Sequence, residues 1–172
     1  MRTKKFPKFQ TGTSLIEILT AILVIGVGLV GVASLSLANV RTTISGYIQS
    51  QATILGDELA DTMRANLVAY ESNEFSSNPD TISKNCVGGT TCTANEQARY
   101  DSKIWLETTA ASLPSGVAAI CMDSTPDDGQ PGSLACDGAG LNTIKIFWVD
   151  SRNQDLLGEG ETFQRYVLSI TP

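Results

Sequence analysis

The chain has 172 residues, a formal net charge of −6 and no histidine. The length fits one modest domain plus an anchor. The acidic balance argues against nucleic-acid binding through a general basic surface, and the lack of histidine removes the commonest general base and metal ligand.

The charge is unevenly placed. Arg2, Lys4, Lys5 and Lys8 fall within the first twelve positions, which hold no acid, so removing that stretch takes the side-chain charge from −6 to −10. After Gly12 and Thr13 comes an apolar run in which, from Leu15 to Ala38, Glu17 is the only charged residue. As a helix this run would be roughly 36 Å long, enough to cross a bilayer core of about 30 Å. Positive charge ahead of it places the leader in the cytoplasm.

Three readings of this segment compete. An ordinary signal peptide could be cut after Ser36-Leu37-Ala38, but its apolar region would be long and would contain Glu17. A plain uncleaved anchor gives Glu17 a cost and no purpose. The third reading is a short basic leader cut after Gly12, ahead of a helix that both anchors and assembles. Gly12 has no side chain, so a protease at the membrane surface can close on the Gly12–Thr13 bond. The cut creates an α-amino group at Thr13. Glu17, one turn further on, can pair with that amine or with the amine of a neighbouring subunit and so set the register between subunits.

No proline occurs between Pro7 and Pro79. Val40, Ile44, Ile48, Leu55, Leu59, Met63 and Leu67, bridged by Ala52, recur at helical spacing. They predict one helix from about Ser14 to about Ala69, with an amphipathic second half covered by a globular domain. Gly26, Gly28 and Gly31 weaken the helix interior by roughly 1 kcal/mol each relative to Ala, while permitting close helix packing in a membrane.

From Glu71 to Cys92 the composition turns to Ser, Asn, Thr and Gly, as in a surface loop. Thr93 and Glu96 form a capping-box pattern that opens a second helix, ending before Pro114, with Trp105 expected as a core anchor. Three strand-like runs follow: Val117 to Met122, Thr143 to Val149 and Phe163 to Ile170. In the second run Ile144, Ile146 and Trp148 alternate with Lys145 and Phe147, as in a half-buried strand. Turn-rich connections favour an antiparallel meander.

Cys86, Cys92, Cys121 and Cys136 lie in the C-terminal half. Behind a membrane-targeting segment, an even count points to disulfides in an oxidising compartment such as the periplasm. Of three connectivities, 86–92 with 121–136 closes the shortest loops. The spacings lack a C-x2-C knuckle, which ranks zinc low. The acidic stretch Asp123 to Gly129 lacks the D-x-D-x-D-G spacing of a calcium loop and reads as a solvated loop closed by Cys121–Cys136. No nucleophile–base pair, phosphate loop or metal cluster is visible, so no catalytic residue and no cofactor is expected.

The segment GTSLIEILTAILVIGVGLVGVA resembles the N-terminus of type IV prepilins and of the related type II secretion pseudopilins. The stretches LADTMRAN, CTANEQARYDSKIWLETTAASLPSG, IKIFWVD and RYVLSITP resemble a minor-pilin family, the type IV pilus modification protein PilV. The resemblance implies cleavage after Gly12 and N-methylation of Thr13 by prepilin peptidase. It also implies a minor subunit that primes assembly with other minor pilins and the major pilin, near the fibre tip. Thr13 stands where the family usually has Phe, and the anchor lacks the proline of many major pilins.

The expected fold is α+β and pilin-like: a long N-terminal helix packed on a small antiparallel sheet. Residues 1–12 form the leader, 13–38 the transmembrane and assembly half of the helix, and 39–172 a periplasmic domain. The protein would sit in the bacterial inner membrane and in the pilus fibre. The alternatives are a type II secretion pseudopilin and, in a different class, a membrane-anchored periplasmic enzyme or binding protein.

Overall fold

The computed structural model describes residues 12, 14–76, 84–88, 90–150 and 163–171. The basic leader, Thr13 and most of the polar loop before Cys86 lie outside the described residues. The chain forms two compact units, one ending at Val40 and one running from Arg41 onward.

Helix α1 spans Leu15–Ala65 and contributes to both units. It opens after Ser14, whose carbonyl accepts from the Glu17 and Ile18 amides at 3.0 and 3.3 Å. In the first unit, large apolar side chains from Leu15 to Leu37 are all exposed, and α1 is long and apolar enough to cross a membrane. A helix apolar on every side, with none of the described residues covering it, suits a lipid or helix-packed environment.

In the second unit, α1 buries Ser45, Ile48, Ala52, Leu55, Gly56, Leu59, Ala60 and Met63. Ile44 and Leu67, expected on this face, are 45% and 48% exposed, and Val40, in the first unit, is exposed as well. The buried stripe starts one residue later, at Ser45, whose hydroxyl donates to the buried Asp150 at 2.8 Å.

The predicted single helix to Ala69 is also corrected. α1 stops at Ala65, and Asn66 takes a non-helical conformation that caps a short helix α2, Leu67–Glu71. Its side-chain oxygen accepts from the Ala69 amide at 3.3 Å, and its side-chain nitrogen donates to the Ala94 carbonyl at 2.8 Å. Asparagine serves such caps better than helix interiors, and here it turns the chain toward the next helix. A 3-10 turn, Glu74–Ser76, buries Phe75. Helix α3 spans Ala94–Ser112 and carries the predicted box: Thr93 Oγ1 accepts from the Glu96 amide, and Glu96 accepts from the Thr93 amide. Trp105 is buried, and its indole N–H donates to the Leu55 carbonyl of α1 at 2.7 Å.

Strands β1 (Val117–Asp123), β2 (Leu141–Val149) and β3 (Phe163–Ile170) form an antiparallel meander in the order β1-β2-β3. One face supplies Ile120, Ile144, Ile146, Trp148 and Ile170 to a core shared with α1, α2 and α3. The fold is therefore α+β, with a long N-terminal helix and a small antiparallel sheet.

Strand β2 departs from the expected half-burial. Every residue from Asn142 to Val149 is buried, Lys145 included. Ile144 and Ile146 enter the helix-side core, whereas Thr143, Lys145 and Phe147 lie on the other pleat face. That second face is covered by the loop between β1 and β2, which reaches Lys145 through Asp128 and Leu134.

The contact between α1 and the sheet has no slack at Gly56. A Cβ there would overlap the Tyr166 ring of β3. Alanine would gain helix propensity of about 1 kcal/mol, but overpacking a tight contact costs typically 1–3 kcal/mol. Gly56→Ala should therefore be net destabilising in urea unfolding, and adding Tyr166→Leu should recover part of the loss. A Gly56→Ala protein as stable as the parent would show that the ring moves aside freely.

Candidate functional site: the N-terminal helix and the disulfide-closed loops

The sequence-predicted site residues fall into three separate places. The first is the start of α1. Gly12 is exposed and outside the helix, Thr13 lies outside the described residues, and Glu17 occupies the first turn. A carboxylate in a first turn is favoured by the unpaired amides and the helix dipole, so Glu17 suits its position even before any partner is considered. Thr20 caps the same turn from within, its hydroxyl donating to the Glu17 carbonyl at 3.0 Å. At Gly26, Gly28 and Gly31 an added Cβ would meet nothing within 4 Å. No packing against described residues of this chain calls for glycine at these three positions.

The second place is the loop leading into α3. Cys86 and Cys92 are disulfide-bonded, with Cα atoms 5.9 Å apart. Lys84 crosses the base of this loop. Its ammonium donates to Glu96 at 3.2 Å and to the Thr91 carbonyl. Glu96 thus serves the capping box and the loop together. The amide of Thr93 first, and Lys84 next, hold its carboxyl below the usual range. Arg99 of α3 reaches Glu74 at 2.6 Å and ties the preceding turn to the same helix.

The third place is the loop between β1 and β2. Cys121 in β1 and Cys136 are disulfide-bonded, with Cα atoms 6.0 Å apart. Both sulfurs are committed to that bond, so their proximity to Asp123 offers no thiolate pair for a metal. Of the loop's acids, expected to be solvated, Asp127 is exposed, whereas Asp128 and Asp137 accept hydrogen bonds within the loop. Asp137 accepts from the Ser124 amide at 3.1 Å and from the Ala139 amide at 2.9 Å. The Ser124 hydroxyl, and then these amides, lower its pKa. Asp128 accepts from Thr125 Oγ1 at 2.8 Å. Gly129 has φ +86°, and a side chain there would strike the Leu134 backbone, so the turn requires glycine.

Lys145 is the residue that the sequence reading passed over. Its Nζ lies 3.0 Å from Asp128 Oδ1, 3.2 Å from the Asp128 carbonyl and 2.9 Å from the Leu134 carbonyl, and it touches Asp123 Oδ2. The side chains of Lys145 and Asp123 are both 0% exposed. Burial disfavours the ammonium, but the bonds to Asp123 and Asp128 outweigh it, and the pKa is raised. The same contact, followed by the Thr125 hydroxyl, lowers the Asp128 carboxyl. A long aliphatic stem crossing a covered sheet face, with a charged tip gathering loop carbonyls, pins this loop to the strand.

Comparison with known proteins adds one family. Residues 34–103 match the Tt1218-like family model, described as type IV pilin Tt1218. The match takes in the last part of the apolar segment, the amphipathic half of α1, α2, the Cys86–Cys92 loop and the first half of α3. No curated protein and no solved structure matches the chain. The match covers less than half of the chain, and with the long apolar N-terminal helix, the small sheet and two disulfides it supports a type IV pilin.

Proposed function

We propose that this chain is a minor pilin of a type IV pilus. Prepilin peptidase cuts its leader after Gly12 and methylates the new amine at Thr13. The apolar half of α1 then holds it in the inner membrane, with the domain beyond it in the periplasm, until it enters the fibre. It primes assembly with other minor pilins and the major pilin, and it sits near the tip. Its role is carried by surfaces, not by turnover of a substrate.

The observation that carries this reading is the start of α1. An apolar helix exposed on all sides carries a lone carboxylate in its first turn and opens three residues after a glycine that ends a basic leader. Glycines without a packing reason among the described residues of the chain add support, because small residues allow helices of separate subunits to approach closely.

Intact-mass analysis of the membrane form tests it. The mature protein should begin at Thr13 and carry one added methyl group. An N-terminus at Met1 or Asn39 would end the reading. Deleting the gene should also remove most surface pili while leaving protein secretion intact. The reverse outcome would assign the chain to a secretion pseudopilin.

A further inference from the structure

We propose that Lys145 and Asp123 are the substrates of a self-catalysed cross-link, an isopeptide bond between Lys145 Nζ and Asp123 Cγ. Four observations meet at this point. The amine and the carboxyl are in contact and wholly buried. Asp123 Oδ2 is buried, and the Lys145 amine is the polar group it touches. Asp123 Oδ1 accepts from the Thr125 amide at 3.0 Å. Asp128 Oδ1 lies 3.0 Å from the same amine, and its other oxygen is oriented by Thr125 Oγ1 at 2.8 Å. These are a nucleophile, an electrophile, a donor for the developing oxyanion and a proton carrier, all held by a loop that a disulfide closes.

The step balances without any outside reagent. The acceptors around Lys145 hold the ammonium at rest, and the step starts from the minor form in which one proton has passed to Asp123 Oδ2, leaving a neutral amine and a carboxylic acid in place of two buried charges. The amine attacks Cγ, and the negative charge forms on Oδ1 against the Thr125 N–H. Asp128 takes a proton from the attacking nitrogen and returns it to Oδ2. The Cγ–Oδ2 bond breaks, one water leaves, and Asp128 is again a carboxylate. The product is a neutral amide where a desolvated ion pair stood, so burial that penalises the reactants favours the product. Asp128 is 45% exposed, which gives the water a way out.

The bond would join the end of β1 to the middle of β2, across the loop that Cys121–Cys136 also closes. Unlike that disulfide, it would survive reduction. The loop would then stay pinned in any redox environment.

The test uses the mature full-length chain purified from membranes, reduced and alkylated. Intact mass should fall short of the sequence by one water. Trypsin should fail to cut after Lys145, and peptide mapping should give a branched peptide joining the Asp123 and Lys145 segments. Asp128→Asn keeps an acceptor for Lys145 but cannot carry the proton. It should fold, by far-UV circular dichroism, and should lose the mass deficit. Lys145→Arg should lose it too. A wild-type chain of full mass, cleaved normally after Lys145, overturns the cross-link. A deficit that persists in Asp128→Asn overturns the assignment of Asp128 as the proton carrier.

Discussion

Measured in the Asp128→Asn background, where no cross-link forms, replacing Lys145 with Met should destabilise the domain by about 3–5 kcal/mol. The stem volume is nearly kept, so the loss is not a cavity effect. What remains is Asp123, buried beside no cation, together with the Leu134 and Asp128 carbonyls, which lose their donor. An uncompensated buried charge is far costlier than a missing contact. The second variant separates the two. In Lys145→Met with Asp123→Asn, the amide can still accept from the Thr125 amide, and no charge is stranded. That double variant should regain most of the loss, although each change removes a polar contact. Urea unfolding of the detergent-solubilised protein gives both values. A single variant within about 1 kcal/mol of the parent, or a double variant no better than the single, would show that the buried carboxylate does not dominate.

The reasons Lys145 escaped the sequence reading are physical. Alternation with period 2 tells which residues share a face, not whether the second face meets solvent. Lys145 and Phe147 alternate correctly with Ile144, Ile146 and Trp148, and an antiparallel sheet commonly leaves one side wet. Here the loop from Ser124 to Gly140 folds over that side, and nothing in a strand's own pattern announces a cover contributed from elsewhere. A signal was present in the loop. Carboxylates at Asp123 and Asp128, inside a ring closed by Cys121–Cys136, stand near a strand with one lysine in an apolar run.

Other features were legible because their cause is local. The Thr93 and Glu96 box is four residues long and carries its own hydrogen bonds. Trp105 sits on the helical face that the Ala98 spacing defines, and it reaches the core. The strands announce themselves by β-branched and aromatic runs bounded by turns. Errors arose where one residue decides a boundary. Asn66 can cap or continue a helix, and its bond to Ala94, across the polar loop in sequence, settles the matter. The buried stripe of α1 begins at Ser45, not Ile44, because Asp150, just past the end of β2, supplies the serine's partner from 105 residues away.

Glu17 belongs to neither group, since the partner proposed for it lies on another subunit, and it gives the sharpest expectation for assembly. Replacing it with Val makes the anchor more apolar. A carboxylate at the centre of a membrane helix costs about 2.5–3.5 kcal/mol on insertion scales, and less near the interface. Glu17 occupies the first turn of α1, toward the interface, so the gain in insertion should be small but favourable. The leader and Gly12 are unchanged, and cleavage should persist. The loss falls on association. In lipid, the Thr13 amine of a subunit would have no carboxylate to meet, and one turn of register between helices would no longer be marked. Glu17→Val should therefore keep a normal processed pool in the membrane while its share in sheared pili, or bound to partner pilins, falls at least tenfold, an effect of about 1.4 kcal/mol or more. Glu17→Asp, with the charge kept on a shorter arm, should retain part of the incorporation. Both pools are read by immunoblot from the same cells. Normal incorporation of Glu17→Val would show that the carboxylate is not the register device. Loss of the membrane pool itself would move its role to folding or targeting.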